Sequence, residues 1–277
     1  RDKSFVDINP SELTSIEIVM SNASVELQKL ETGIWQVLQS NNTGDFSTWT
    51  ADPQLLNEVI SALHEMEAVQ FISDAPSVAD LEKYGFNNPQ RQVILQTQDK
   101  STLLIGDLDP KSRLLFAKMI DSPTIYKIKK DILHLLKTRA LYYRLRVIEE
   151  LPQGARVQRV SLTDSVSGTV IFDKKINPSS ESWAKVLKEY PEKKKKAILE
   201  LTDTMRKFEV KEYIRNTFSS RFKLGDKEFS WRYHLNTEIH LPGGNEDRIQ
   251  NRTFSFSERL GGTTQIGGSP DSNVIFT

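Results

Sequence analysis

The sequence predicts an α+β protein made of two tandem, similar units of mostly antiparallel sheet with packed helices. The first observation is an internal repeat, since residues 62–74 and 204–216 align at an offset of about 142 residues with matching apolar positions. The second is that many short, adjacent strands are predicted, which favours antiparallel sheets over a doubly wound parallel one. A length of 277 residues also suits about two domains. We therefore expect one unit over residues 1–146 and a second over 147–277, the second truncated at its C-terminus.

The first unit opens with a predicted β-hairpin. Residues 13–20 and 24–29 alternate apolar and polar side chains around a Ser-Asn turn. Gly33 then turns the chain into a third short strand over 34–38. Residues 40–51 are polar, and they predict a loop.

A helix is predicted to begin at Asp52 and Pro53. Aspartate supplies a side-chain oxygen for the N-cap, and proline suits the first helical position. The apolar residues that follow recur at helical spacing and indicate a face that packs on a sheet. They are Leu55, Leu56, Val59, Ile60, Leu63 and Met66. The second unit has a corresponding stripe of Ile198, Leu201, Met205 and Phe208.

The rest of the first unit reads as strands with one short helix. A strand is predicted over 68–72 and a helix over 78–84, which Gly85 ends. Residues 106–110 (Gly-Asp-Leu-Asp-Pro) predict a turn. A helix-like segment, 129–137, follows the last strand. The four later strands of this unit are predicted over 92–96, 102–105, 114–119 and 124–128.

The second unit is predicted to follow the same plan. It reopens with a hairpin over 156–162 and 169–174, continues through the helical stripe, and ends in further strands. These final strands are predicted near 229–235, 238–241, 253–256 and 273–276. Trp35 and Trp183 stand at related positions of the repeat, so both are expected in the core.

Several short signatures resemble those of a bacterial family called domain of unknown function 4340. They are Leu81-Glu-Lys-Tyr-Gly-Phe-Asn-Asn-Pro89, Leu103-Leu-Ile-Gly-Asp107 and Ser122-Pro-Thr-Ile-Tyr126. The resemblance is strongest over residues 8–146. It implies an extracytoplasmic region tethered by an N-terminal membrane helix absent from this chain, facing the periplasm at a bacterial inner membrane. It further implies partners among ABC-type transport components, permease or ATPase subunits, of the kind linked to gliding motility. The family supplies no catalytic residues.

Composition excludes several classes of partner. Lysine plus arginine and aspartate plus glutamate both number 37, so no net field recruits nucleic acid or an anionic membrane surface. The chain has no cysteine, which removes disulfides and thiolate chemistry. No apolar run approaches the roughly 20 residues of a membrane span.

The sequence predicts no catalytic, cofactor-binding or metal-binding residues, and we expect no enzyme and no cofactor. The four histidines, at positions 64, 134, 234 and 240, are scattered. The glycine-rich segment 261–268 lacks the Gly-Lys-Ser/Thr of a phosphate loop and is better explained as a hairpin connection. Asp107 and Asp109 could offer oxygens to calcium, but turn chemistry explains them better. Four consecutive lysines, 193–196, are expected at a solvated helix end.

Two tryptophans outside the repeat are the candidate contact residues. Trp49 lies in the predicted polar loop, and Trp231 lies in the strand predicted near 229–235. An exposed tryptophan can stack on a sugar or anchor a partner, although packing beneath a loop is the commoner role. The leading hypothesis is a non-enzymatic module that is accessory to an ABC-type transport system and acts by protein–protein contact. The alternative is a binding module for a periplasmic glycan or a lipid-linked ligand.

Overall fold

The computed structural model describes residues 5–40, 46–242, 248–262 and 264–277. The chain divides into two compact units, Arg1–Leu145 and Arg146–Thr277. It is 17% helical and 45% strand, mostly antiparallel, which fits an α+β or mainly β fold.

Among the described residues of the first unit, nine strands form one antiparallel sheet, called here the first sheet. Its strand order is β4-β3-β2-β1-β6-β7-β8-β9-β5. The strands are β1 Ser15–Met20, β2 Ala23–Lys29, β3 Trp35–Ser40, β4 Phe46–Thr50, β5 Gln70–Ser73, β6 Arg91–Gln96, β7 Lys100–Leu108, β8 Leu114–Met119 and β9 Ile125–Lys129. The helices are α1 Pro53–His64, α2 Val78–Lys83, a 3-10 turn Lys130–His134 and α3 Ala140–Tyr143.

Helix α1 begins where the sequence predicted it. The carboxylate of Asp52 accepts hydrogen bonds from the backbone N–H groups of Gln54 and Leu55, at 3.0 and 3.2 Å. The apolar stripe of α1 packs on one face of the first sheet, and Val59 and Leu63 are completely buried there. Helix α2 packs on the opposite face, over a smaller aromatic cluster that includes Phe86, Phe116 and Ile125.

Two predictions for the first unit are wrong. Residues 40–51 are not all loop, because β4 pairs with β3 and Trp49 stands opposite Val37. Gly106 and Asp107 do not form a turn either; they lie inside β7, next to a register irregularity between Ile105 and Leu108. The turn comes later, where the backbone N–H of Arg113 donates to the carbonyl of Asp109 at 2.8 Å.

The described strands of the second unit form a second sheet in the order β12-β11-β17-β18-β19-β20-β14, with the pairs β10–β13 and β15–β16 beside it. The strands are β10 Val147–Glu150, β11 Arg156–Asp164, β12 Thr169–Lys175, β13 Lys207–Glu209, β14 Tyr213–Arg215, β15 Arg221–Leu224, β16 Lys227–Ser230, β17 Tyr233–Leu241, β18 Arg248–Arg259, β19 Gln265–Ser269 and β20 Val274–Phe276. The helices are α4 Trp183–Val186 and α5 Glu192–Thr204.

The second sheet has the strand order of the first over the run β2-β1-β6-β7-β8-β9-β5. In each sheet, cross-strand pairing also links a row of residues that starts at the terminal strand. In the first sheet the row is Phe71, Tyr126, Ala117, Ile105 and Arg91. In the second sheet the row is Tyr213, Phe276, Gly267, Phe256 and Tyr233.

The sequence alignment of the two units fails at the tryptophans. Trp35 lies on β3, whereas Trp183 lies on helix α4, so the two residues occupy different kinds of element. Trp183 is buried, and its indole N–H donates to the carbonyl of Val157 at 2.7 Å. Trp35 is half-buried and packs against the main core of the first unit. The sequence match at the two tryptophans therefore gives no support to the agreement in strand order between the two sheets.

Candidate functional site

Trp49 lies on the edge strand β4 and is half-buried. Its ring packs against the main core of the first unit, and the guanidinium carbon of Arg144 lies 5.7 Å from the ring centroid. This geometry is a cation–π contact within the unit. The accessible part of Trp49 could still contact a ligand or a partner, and that role stays a prediction.

Trp231 is enclosed in the second unit, where it is 7% exposed. Its indole N–H donates to the carbonyl of Ser219 at 2.8 Å, and its ring stacks on Phe218 with centroids 5.6 Å apart. It packs with Phe222 and Ile275 in one apolar cluster. The β15–β16 hairpin and Trp231 therefore pack over one face of the second sheet. Trp49 is the more accessible of the two predicted contact residues.

The polar residues weighed for chemistry hold the fold together. The Nδ1 atom of His64 lies 3.0 Å from the carbonyl oxygen of Ile8, and Nδ1 of His234 lies 3.1 Å from the hydroxyl of Ser255. Within the described ranges, no group of three or more acidic or histidine side chains could hold a metal ion.

Asp109 acts as a turn residue and an ion-pair partner. Its carboxylate accepts from Lys127 Nζ and from the Ser112 hydroxyl, each at 2.6 Å, and from the backbone N–H of Lys111 at 3.1 Å. These bonds, that of Lys127 first, hold the pKa of Asp109 well below its ordinary value. The lysine run at the start of α5 also makes local contacts, since Lys194 lies over the rings of Phe172 and Tyr190.

An apolar element with a free edge is β5, the terminal strand of the first sheet. Phe71 is 56% exposed and Val69, just before the strand, is 50% exposed. Phe71 contacts Tyr126 edge-on at a centroid distance of 6.3 Å, and Tyr126 in turn lies 4.9 Å from Phe5. Together, Val69, Phe71, Tyr126 and Phe5 are called the β5 edge here. Tyr213, which the sequence alignment sets against Phe71 and which lies on the terminal strand of the second sheet, is 2% exposed.

Sequence reasoning missed the β5 edge as a candidate site. A strand was predicted over 68–72 and is found at Gln70–Ser73, but an apolar strand gives no sign of which of its side chains remain exposed. The available signal was the repeat, because it aligned Phe71 with Tyr213 and so made their environments comparable.

Two of the three signature motifs meet at the junction of α2 and β7. The backbone N–H of Asp107 donates to the carbonyl of Tyr84 at 2.8 Å. The ring of Tyr84 stacks on Phe116 with centroids 4.3 Å apart. A Cβ on Gly106 would lie well inside 3.0 Å of the Tyr84 carbonyl oxygen, so only glycine allows this approach. Tyr84-Gly85 and Gly106-Asp107 are thus one structural contact that fixes α2 on the sheet.

The model of the family Domain of unknown function (DUF4340) matches residues 45–227, which is more than half of the chain. The chain belongs to the DUF4340 family. The match runs from the first unit into the second, beyond the region 8–146 where the resemblance was strongest. Neither a curated protein nor a solved structure matches the chain. No helix in the described part of this DUF4340 chain has the length and apolar character needed to cross a bilayer.

The DUF4340 signatures therefore form structural contacts, whereas the β5 edge is a surface that can make contacts with another molecule. A terminal strand can accept a further strand through its outer backbone groups, while its exposed side chains supply apolar area. Phe71 would contribute most of that area, because it is a large aromatic that is more than half exposed.

Proposed function

We propose that this DUF4340 chain is a non-enzymatic contact module that binds a protein partner through the β5 edge of its first unit. The observation that carries the proposal is the difference between Phe71 and Tyr213, which are 56% and 2% exposed at the same position of two sheets with the same strand order. Edge strands in native proteins are usually short, charged or covered, because an apolar edge invites pairing with other chains. The terminal strand of the second sheet follows this rule because Tyr213 is covered, whereas the terminal strand of the first sheet departs from it because Phe71 is exposed.

The proposed module consists of two copies of one architecture. The shared strand order and the two rows of paired residues support this relationship, together with the aligned segments 62–74 and 204–216. The copies have diverged at the terminal strand. If one copy acquires a binding partner while both copies retain the architecture, a side chain at the contact surface is expected to be exposed in that copy and buried in the other.

The partner we propose is a membrane component of an ABC-type transport system, met in the extracytoplasmic space. The resemblance to the DUF4340 family, which implies such partners, supports this choice. The even charge balance also supports it, because a contact site without a net charge has to rely on shape and apolar area. The full-length protein would be tethered to the inner membrane, so that the β5 edge lies near the partner.

Site-specific photo-crosslinking in the native host tests the proposal. A photoreactive amino acid replaces Phe71 in the full-length protein, and cross-linked products are identified by mass spectrometry. The matched control carries the same probe at Val166, which is 74% exposed in the second unit. We expect the probe at position 71 to capture one membrane transport component that the probe at position 166 does not.

A second pair of variants separates contact from folding. Phe71→Asp should abolish capture by a probe placed at position 69, whereas Val166→Asp should leave that capture intact. Both substituted side chains are more than half exposed, so the unfolding midpoints should stay close to that of the wild type. The proposal fails if positions 71 and 166 capture the same proteins, or if position 71 captures none.

A further inference from the structure

A cavity of about 330 Å³ opens in the second unit at the C-terminal end of α5. Its walls come from the start of β11, from the segment that leads into α4, and from the end of α5. The apolar side chains that line it, called the floor here, are Val157, Ile176 and Trp183, and each is at most 8% exposed. The volume lies at the lower end of the roughly 300–1,000 Å³ of ligand sites, so the cavity suits a small ligand.

Two cations and two anions surround this floor. Arg156, Arg206, Glu181 and Asp203 line the cavity, and all four are exposed. No side-chain nitrogen of the two arginines lies within 4.0 Å of a carboxylate oxygen of the other two residues. The four charges of the rim therefore sum to zero without forming ion pairs with one another.

Each arginine is held by a backbone carbonyl but keeps most of its donors. One guanidinium nitrogen of Arg206 donates to the carbonyl of Ala155 at 3.2 Å, and one of Arg156 donates to the carbonyl of Pro178. A guanidinium has five N–H donors, so both groups retain donors for a further acceptor. Because each side chain is already tethered, less conformational freedom is lost when a ligand binds. Both arginines can therefore bind a carboxylate, which accepts two parallel hydrogen bonds from one guanidinium.

The two carboxylates differ in how much of their bonding capacity is used. Glu181 accepts a hydrogen bond from the backbone N–H of Asn177 at 2.7 Å. The carboxylate of Asp203 forms no hydrogen bond or ion pair with any residue of the described ranges. Asp203 also lies in the last turn of α5, where the helix dipole favours a positive charge over a negative one. An ammonium group bound at Asp203 would therefore balance both the carboxylate and the helix dipole.

We propose that this cavity binds a small zwitterion, an α-amino acid or a dipeptide with an apolar side chain. Its carboxylate would accept from Arg206 and Arg156, its ammonium would donate to Asp203, and its side chain would cover the floor. A simple anion or cation fits worse, because either would meet two like charges at the rim. A sugar also fits worse, because sugars stack on an open aromatic face and Trp183 is only 8% exposed. The site lies in the second unit and does not depend on the β5 edge.

Isothermal titration calorimetry of the whole chain tests the site with defined probes. Leucine and the dipeptide leucyl-leucine are titrated at low salt, because added ions screen the exposed charges of the rim. We expect at least one of them to bind saturably, and the comparison shows which separation of ammonium and carboxylate the rim accepts. Glycine has the same two charges but no apolar side chain. It should bind about tenfold or more weakly than leucine, because it leaves the floor uncovered.

Variants of the protein, combined with blocked forms of the probe, locate the binding. Arg206→Gln should weaken binding of the zwitterion about tenfold but have little effect on its C-terminal amide, which lacks the carboxylate. Asp203→Asn should likewise weaken binding of the zwitterion but not of its N-acetyl derivative, which lacks the ammonium. A loss of folding would weaken every probe alike, so this pattern separates contact from stability. Arg221→Gln and Asp226→Asn are matched controls, exposed in the same unit and outside the cavity, and should leave the affinity unchanged.

Three results would overturn the proposal. The first is no saturable binding of leucine or of leucyl-leucine. The second is that Arg206→Gln or Asp203→Asn changes the affinity for the zwitterion no more than the affinity for the corresponding blocked probe. The third is binding of inorganic phosphate or of glucose in place of the zwitterion, blocked by Arg206→Gln, because that result assigns the cavity to a different class of ligand. Phe71→Asp should not affect the binding, so that failure at the β5 edge and failure at this cavity can be told apart.

Discussion

Replacing Gly106 with alanine should destabilise the first unit by about 2–4 kcal/mol. Gly106 lies in β7, at the place where the C-terminal end of α2 meets the sheet. An alanine Cβ would lie well inside 3.0 Å of the Tyr84 carbonyl oxygen and 3.3 Å from the ring of Phe86. Because ordinary Cβ contacts begin at 3.4 Å, either α2 or β7 must retreat by roughly 1 Å.

Two effects make up this magnitude. Overpacking of a close contact costs about 1–3 kcal/mol, because neither the carbonyl of Tyr84 nor the backbone of β7 can rotate away as a flexible side chain would. The retreat also stretches the 2.8 Å hydrogen bond from Asp107 N–H to the Tyr84 carbonyl, and its loss costs about 1 kcal/mol. The two effects are coupled, so their combination is not strictly additive.

Urea unfolding of the wild type, Gly106→Ala and Gly33→Ala measures the effect. Gly33 is the matched control, since it lies in the same unit, has a φ of +83° and has no atom within 4 Å of the position of its Cβ. Its substitution costs only backbone strain, about 1–2 kcal/mol. If Gly106→Ala lowers the free energy of unfolding no more than Gly33→Ala does, the close approach of α2 and β7 is not what requires glycine, and the reasoning is wrong.

Two further predictions concern buried polar contacts of the first unit. Tyr143→Phe should lower the free energy of unfolding by about 1–3 kcal/mol. The reason is that the buried Tyr143 hydroxyl accepts from Lys137 N–H at 2.8 Å and donates to backbone carbonyls. The control Tyr142→Phe, measured by the same urea titration, should lower the free energy of unfolding by less. Lys127→Met removes the main cause of the lowered pKa of Asp109. Because the pKa of Asp109 is lower in the folded state, its ion pair with Lys127 stabilises the fold at pH values above the unfolded pKa of about 3.9. This stabilisation is lost as the pH falls through the folded-state pKa. The difference in Tm between wild type and Lys127→Met should therefore shrink from about pH 5 towards pH 2. A difference in Tm that stays constant over this range would contradict the assignment.

Local signals in the sequence were sufficient where one segment determines its own structure. Asp52 and Pro53 begin α1 because capping depends only on the first helical turn. The hairpin of β1 and β2 was predicted because its alternation and its turn lie within one stretch, with Met20 paired to Ala23 across the turn. Helix α2 likewise begins with a capping box between Ser77 and Asp80.

Prediction failed where a partner distant in the sequence decides the structure. Strand β4 is polar and short, and pairing with β3 makes it a strand. Gly106 and Asp107 are residue types of a turn, but the same types are needed where a helix approaches a strand closely. The sequence could not distinguish these two uses of glycine, since the distinction depends on the position of Tyr84.

The candidate sites show the same limit more sharply. The sequence alignment sets Phe71 against Tyr213, and each lies on the terminal strand of its sheet, yet one is 56% exposed and the other 2%. Both residues lie on strands that end a sheet, and they differ in what packs over them. A strand pattern determines which side chains share a face, whereas exposure depends on what covers that face. Comparing aligned residues of the two units therefore reveals differences in exposure that the pattern of either strand does not predict.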